Sequence, residues 1–85
     1  MTEIETWACT YLGQIDSSFD GLTAENKLSE NLFISGRLDS IGIMNMFLEA
    51  EAKFDFMFTA EEFQDRRLQT IAGLAEVIAE IKDVR

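Results

Sequence analysis

The stretch "RLDSIGIMNM", residues 37–46, decides how this chain is read. An acid and a serine stand directly ahead of a glycine and a burst of apolar residues, as at the mouth of a helix. Ser40 has two readings there. Its oxygen can cap the helix by accepting a backbone amide hydrogen, a role worth about 1 kcal/mol. Alternatively, its hydroxyl carries a covalent group.

Working outward, residues 40–53 are expected to form a helix. Ile41, Met44, Phe47, Leu48 and Ala52 fall near one face, and Ile43, Met46 and Ala50 widen it beyond an ordinary stripe. "KFDFMF" (53–58) follows, an aromatic exit that should pack partly inward. Thr59 and Glu62 have capping-box spacing and open a short helix to about Asp65. A last helix is expected from about Leu68 to Ile81, with Ile71, Leu74, Ala75, Ile78 and Ile81 inward. Gly73 inside it points to a close approach.

Upstream, Thr2 and Glu5 repeat the capping-box spacing, and Ile4, Trp7, Ala8, Tyr11, Leu12 and Ile15 recur at helical intervals. A first helix over 2–16 follows, with these residues as its one buried stripe. "SSFDGLTAENKLSENLFISG" (17–36) has no sustained period. Its Phe19, Leu22, Leu28, Leu32, Phe33 and Ile34 suggest a structured connection lying across a core, with a short helical turn. Loops of that length in small domains are usually functional or disordered. The fold expected is all-α: a small antiparallel bundle of three main helices plus one short helix, in a single domain spanning 1–85.

Composition narrows the function. With 85 residues there is one core and no room for a large enclosed cleft. A net charge of −9, with only seven Lys and Arg, argues against nucleic-acid binding and favours basic partners. Cys9 is alone, which fits a reducing cytoplasm. No apolar run reaches membrane-spanning length, and residues 1–20 lack a signal peptide's basic start. The chain is expected to be soluble, cytoplasmic, free-standing and monomeric, without membrane insertion.

Around Ser40, Asp39 places negative charge at the positive end of the helix dipole. Gly42 clears an approach, and Ile41, Ile43, Met44 and Met46 supply more apolar surface than a small core requires. A phosphate ester on Ser40 would lie against free amides. Catalysis by Ser40 itself is not expected. A serine nucleophile needs an activating base, and the chain has no His, nor do Lys27, Lys53 and Lys82 form a Ser-Lys pattern.

"LDSIG" (38–42) opening a helix resembles the attachment motif of the acyl carrier proteins, peptidyl and aminoacyl carriers included. The resemblance spans most of the chain, with "LEAEAKFDF" (48–56) similar to the end of the family's second helix and "LQTIAGLAEVI" (68–78) to its last segment. It implies that Ser40 receives a 4′-phosphopantetheine arm from coenzyme A, through a phosphopantetheinyl transferase that uses magnesium. The arm's thiol would hold an acyl or aminoacyl thioester, loaded by a ligase and passed to a synthase or transferase. Fatty acid, polyketide and nonribosomal peptide biosynthesis all use this scaffold. The resemblance implies partner recognition through Asp39, Ile41, Gly42, Met44, Met46 and Glu49. Asn45 stands where many members have glutamate, and Thr59 and Ala60 where the family has a proline.

Other readings stay in view. The rival is an unmodified acidic adaptor that binds a protein partner through the apolar face of residues 41–48. "FTAEEF" (58–63) resembles the helix starts of calcium-binding helix–loop–helix proteins, but no loop of alternating acids adjoins it. Glu49, Glu51, Glu61, Glu62 and Asp65 read as a solvated surface or as a steering patch for a basic partner. Arg66 and Arg67 pair with local acids or project into solvent.

Overall fold

The computed structural model describes residues 1–84; Arg85, inside the expected 1–85 domain, lies outside them. The architecture is all-helical, with no strand among the described residues. Five α-helices run in the order α1 (Glu3–Ile15), α2 (Ala24–Ser29), α3 (Ser40–Phe54), α4 (Ala60–Phe63) and α5 (Ile71–Val84). Single 3-10 turns, Ser17–Gly21 and Arg66–Gln69, follow α1 and precede α5.

Side-chain caps set most of these boundaries. Both expected capping boxes are present. The Thr2 hydroxyl accepts from the Glu5 amide while Glu5 accepts from the Thr2 amide, and Thr59 and Glu62 do the same for α4. Thr23 caps α2 by accepting the Asn26 amide hydrogen. That helix is a short helical turn of the kind expected within the connection.

The last helix begins at Ile71, three residues later than expected. Asp65 accepts the Arg67 amide hydrogen and tightens 66–69 into a 3-10 turn, and the Thr70 hydroxyl then accepts from the Gly73 amide. Gly73 lets that turn sit on the helix: a β-carbon there would collide with the Arg67 carbonyl oxygen.

One core joins α1, the connection and α3 to α5. It contains Ala8, Leu12, Phe19, Leu32, Leu38, Ile43, Met46, Phe47, Ala50, Phe58, Leu68 and the inner face of α5. Ile71, Leu74, Ala75, Ile78 and Ile81 are all buried as expected. The aromatic exit packs partly inward: Phe58 is buried against Phe47, Phe56 and Phe63, whereas Met57 is exposed. Trp7 stacks on Tyr11 and meets Phe54 edge-on.

Three apolar expectations are corrected. Ile15 ends α1 exposed, and so do Phe33 and Ile34 in the connection. Only Phe19 and Leu32 of that segment are fully buried, with Leu22 and Leu28 partly so. The reason is local. The Asn31 carboxamide oxygen accepts both the Phe33 and Ile34 amide hydrogens, folding 31–36 into a tight turn that holds both side chains outward.

The third correction concerns α3. Ile43, Met46, Phe47 and Ala50 face the core, while Ile41, Met44 and Leu48 are 73%, 42% and 53% exposed. The helix is apolar on two sides, so its period alone does not fix which side turns inward.

Candidate functional site

The connection that delivers Ser40 is tied by Arg37. Its guanidinium holds Glu30 through two hydrogen bonds of 2.6 and 2.9 Å, reaches Asp16 at 2.8 Å and lies over the Phe19 ring. This joins the end of α1 to the end of α2 and to the residues just before α3. The Arg37 hydrogen bonds hold the Glu30 carboxyl below its usual range, and the Ser18 hydroxyl and amide, followed by Arg37, do the same for Asp16. Two backbone bonds complete the frame: the Leu32 amide donates to the Gln69 carbonyl, and the Leu38 amide to the Leu32 carbonyl. Gly36, with φ at +78°, supplies the left-handed residue in the turn.

At the mouth of α3 the capping residue is Asp39, not Ser40. The Asp39 carboxylate accepts the Gly42 amide hydrogen at 2.7 Å. A β-carbon at position 42 would come within 3.1 Å of that carboxylate oxygen, a tight contact that the glycine avoids.

Ser40 is the first residue of α3 and exposed. Among the described residues, no group hydrogen-bonds its hydroxyl. The amides of Ser40 and Ile41 likewise find no acceptor there, as is usual in a first helical turn.

The other candidate residues separate. Ile41 and Met44 are exposed beside Ser40, forming with Leu48 one outward apolar strip at positions i, i+3 and i+7. Glu49 is also exposed. Met46 is fully buried and fills the core, so the implied recognition role is withdrawn for it.

The acidic cluster is similarly divided. Glu51 accepts the Phe58 amide hydrogen, Glu62 completes the α4 capping box, and Asp65 caps the 3-10 turn while pairing with Arg67. Glu49 and Glu61 remain outward. Arg67 also pairs with Glu76 and Glu80, whereas Arg66 is exposed. Three of the five acids, Glu51, Glu62 and Asp65, thus hold local structure together.

Sequence reasoning passed over two features. One is Arg37, whose signal was a basic residue in an acid-rich connection holding Asp16, Asp20, Glu25 and Glu30. The other is a shallow cleft of about 340 Å³ between α1, the connection and α3, lined by Tyr11, Ile15, Leu38, Asp39, Gly42 and Asn45 among others.

Elsewhere, Cys9 is half-buried and burial pushes its thiol up, toward the unreactive form. Among the described residues, no His, Cys, Asp and Glu group is arranged to hold a metal ion, and no helix is long and apolar enough to cross a membrane. Comparison with family models, curated proteins and solved structures finds no match to this chain.

Proposed function

We propose that the chain is a carrier protein that bears a 4′-phosphopantetheine arm on Ser40 and moves acyl or aminoacyl thioesters between partner enzymes. The observation that carries this reading is the division of labour at the mouth of α3. Asp39 closes the helix, and the neighbouring hydroxyl is left exposed and unengaged. A serine needed only as a cap would be expected to make that bond itself.

In the attachment step the Ser40 oxygen forms a bond to the phosphorus that carries pantetheine in coenzyme A. The pyrophosphate P–O bond breaks, adenosine 3′,5′-bisphosphate leaves, and the serine proton passes to a base of the transferase. Open amides in the first turn of α3 favour the resulting anionic diester. The base comes from the partner enzyme, since the chain has no histidine. Once attached, the arm holds its thioester at high effective concentration near any enzyme that docks on the carrier.

The exposed strip of Ile41, Met44 and Leu48 favours a second reading, an adaptor that binds its partner without modification. The two readings agree on that face and differ at Ser40. Incubation with coenzyme A, magnesium and a broad-specificity transferase separates them: the carrier gains the mass of one phosphopantetheine, and the adaptor gains none.

A further inference from the structure

The cleft between α1 and α3 begins at the attachment end of α3. Asp39 and Gly42, on either side of Ser40 in sequence, line it, and so does Asn45 one turn further along. Gly42, Asn45 and Glu49 follow one another at three- and four-residue steps, so they share one flank of the helix. Across from this flank stand Tyr11 and Ile15 of α1. The cleft therefore extends away from Ser40 along α3, on a different side from the exposed Ile41–Met44–Leu48 strip.

Its chemistry selects for a neutral guest. The charges near the mouth are already engaged: the Asp39 carboxylate caps α3, and the Arg37 guanidinium is held by Glu30 and Asp16. Further in, the lining residues are Tyr11 and Asn45, which carry a hydroxyl and a carboxamide, with apolar Ile15 and Leu38. Neither the Asn45 carboxamide nor the Tyr11 hydroxyl has a hydrogen-bond partner among the described residues. A carboxamide offers donors and an acceptor together, the set that matches another amide. Ile15 is 55% exposed, an apolar wall with nothing over it. A volume near 340 Å³ lies at the small end of the range for organic-ligand clefts, about 300–1,000 Å³.

We infer that this cleft holds the amide-bearing part of the arm on Ser40, with the Asn45 carboxamide hydrogen-bonded to an arm amide and the arm's hydrocarbon laid over Ile15. This rests on the carrier reading above and adds a resting place for the arm. A pantetheine chain alternates amides with short hydrocarbon stretches, and the lining likewise offers both polar and apolar residues. A glutamate at position 45 would place a charge in the cleft that could accept hydrogen bonds but not donate them. Asn45 thus has a task on this flank, facing the arm rather than a basic partner.

The test uses the full chain labelled with nitrogen-15, loaded from coenzyme A by a transferase and checked by intact mass. Loading is expected to shift the Asn45 side-chain amide pair and the backbone amides of Gly36, Leu38 and Gly42. Nuclear Overhauser contacts should join the arm's methyl groups to Ile15 and Tyr11. In the Asn45→Ala chain, brought to the same loaded mass, those contacts should weaken or vanish. In Asn45→Asp, which keeps the shape but removes the donors, they should fall to an intermediate level. Shifts confined to residues 39–41, with arm signals as sharp as those of free pantetheine, would overturn the inference and leave the carrier reading standing. A chain that gains no mass overturns both, and the mass spectrum shows this before any resonance is compared.

Discussion

The Asp39 carboxylate accepts the Gly42 amide hydrogen at 2.7 Å, and this bond settles which of two adjacent residues caps the start of α3. Ser40 sits one position inside the helix with its hydroxyl in solvent. Stability should therefore respond to the two residues in opposite proportion to a serine cap. Asp39→Ala is expected to cost about 1 kcal/mol, the usual value of a lost N-cap. Ser40→Ala should stay within about 0.5 kcal/mol of the parent. Urea unfolding followed by far-ultraviolet circular dichroism measures both, and a larger loss at Ser40 would show that the hydroxyl is the cap.

The inward face of α3 supplies a second contrast, between two methionines two residues apart. Met46 is 0% exposed and Met44 is 42% exposed. Met46→Ala should cost about 2–5 kcal/mol through lost burial and the cavity left behind, whereas Met44→Ala should stay within about 0.5 kcal/mol. Equal losses in urea titrations would mean that the helix is rotated from the orientation described.

Gly73→Ala opposes local propensity to packing. In an exposed helix the change would be favourable by about 1 kcal/mol. Here the new methyl group would meet the Arg67 carbonyl oxygen, a backbone atom that cannot swing aside. A net loss of about 2 kcal/mol is expected, in the range for overpacked sites. A thermal midpoint that rises in the variant would disprove the close approach.

Arg37 ties the connection, and its effect should depend on pH. Arg37→Met should cost about 1–2 kcal/mol at neutral pH, reflecting charge-assisted hydrogen bonds that are not fully shielded from solvent. Glu30 and Asp16 both titrate below their ordinary values in the folded chain. Carboxylates of this kind stabilise the fold fully above the unfolded-state value, about 4, and that stabilisation is lost as pH falls through the lower folded value. The stability gap between parent and variant should hold from neutral pH down to about 5 and narrow on further acidification. A gap that widens in acid would contradict the assigned pairs.

Much of this fold is legible in the residues themselves, because its signals are local. Thr2 with Glu5 and Thr59 with Glu62 announce α1 and α4, since a capping box needs only two residues three positions apart. The inward face of α5 reads cleanly because its opposite side is polar or small. The side of α3 that faces the core does not, because Ile41, Met44 and Leu48 compete with Ile43, Met46 and Phe47 for the same interpretation. Only the packing of the other helices resolves that choice. Helix α2 is too short to show a period, and no residue in it is fully buried. Its Thr23 cap was the available sign.

The site was half legible. Ser40, Asp39 and Gly42 stand out in sequence, but which of the first two caps the helix depends on backbone geometry. Arg37 reaches Asp16 across 21 positions, and the α1–α3 cleft joins residues from Tyr11 to Asn45. Neither relationship has a local period or motif to reveal it.

Whether Ser40 bears the arm is decided by intact-mass spectrometry of the chain after incubation with coenzyme A, magnesium and a broad-specificity phosphopantetheinyl transferase. A gain of one phosphopantetheine is expected, localised by fragmentation to Ser40 and absent from a Ser40→Ala chain with an unchanged helical spectrum. An unchanged mass with several transferases, or an arm found on any other residue, would contradict it.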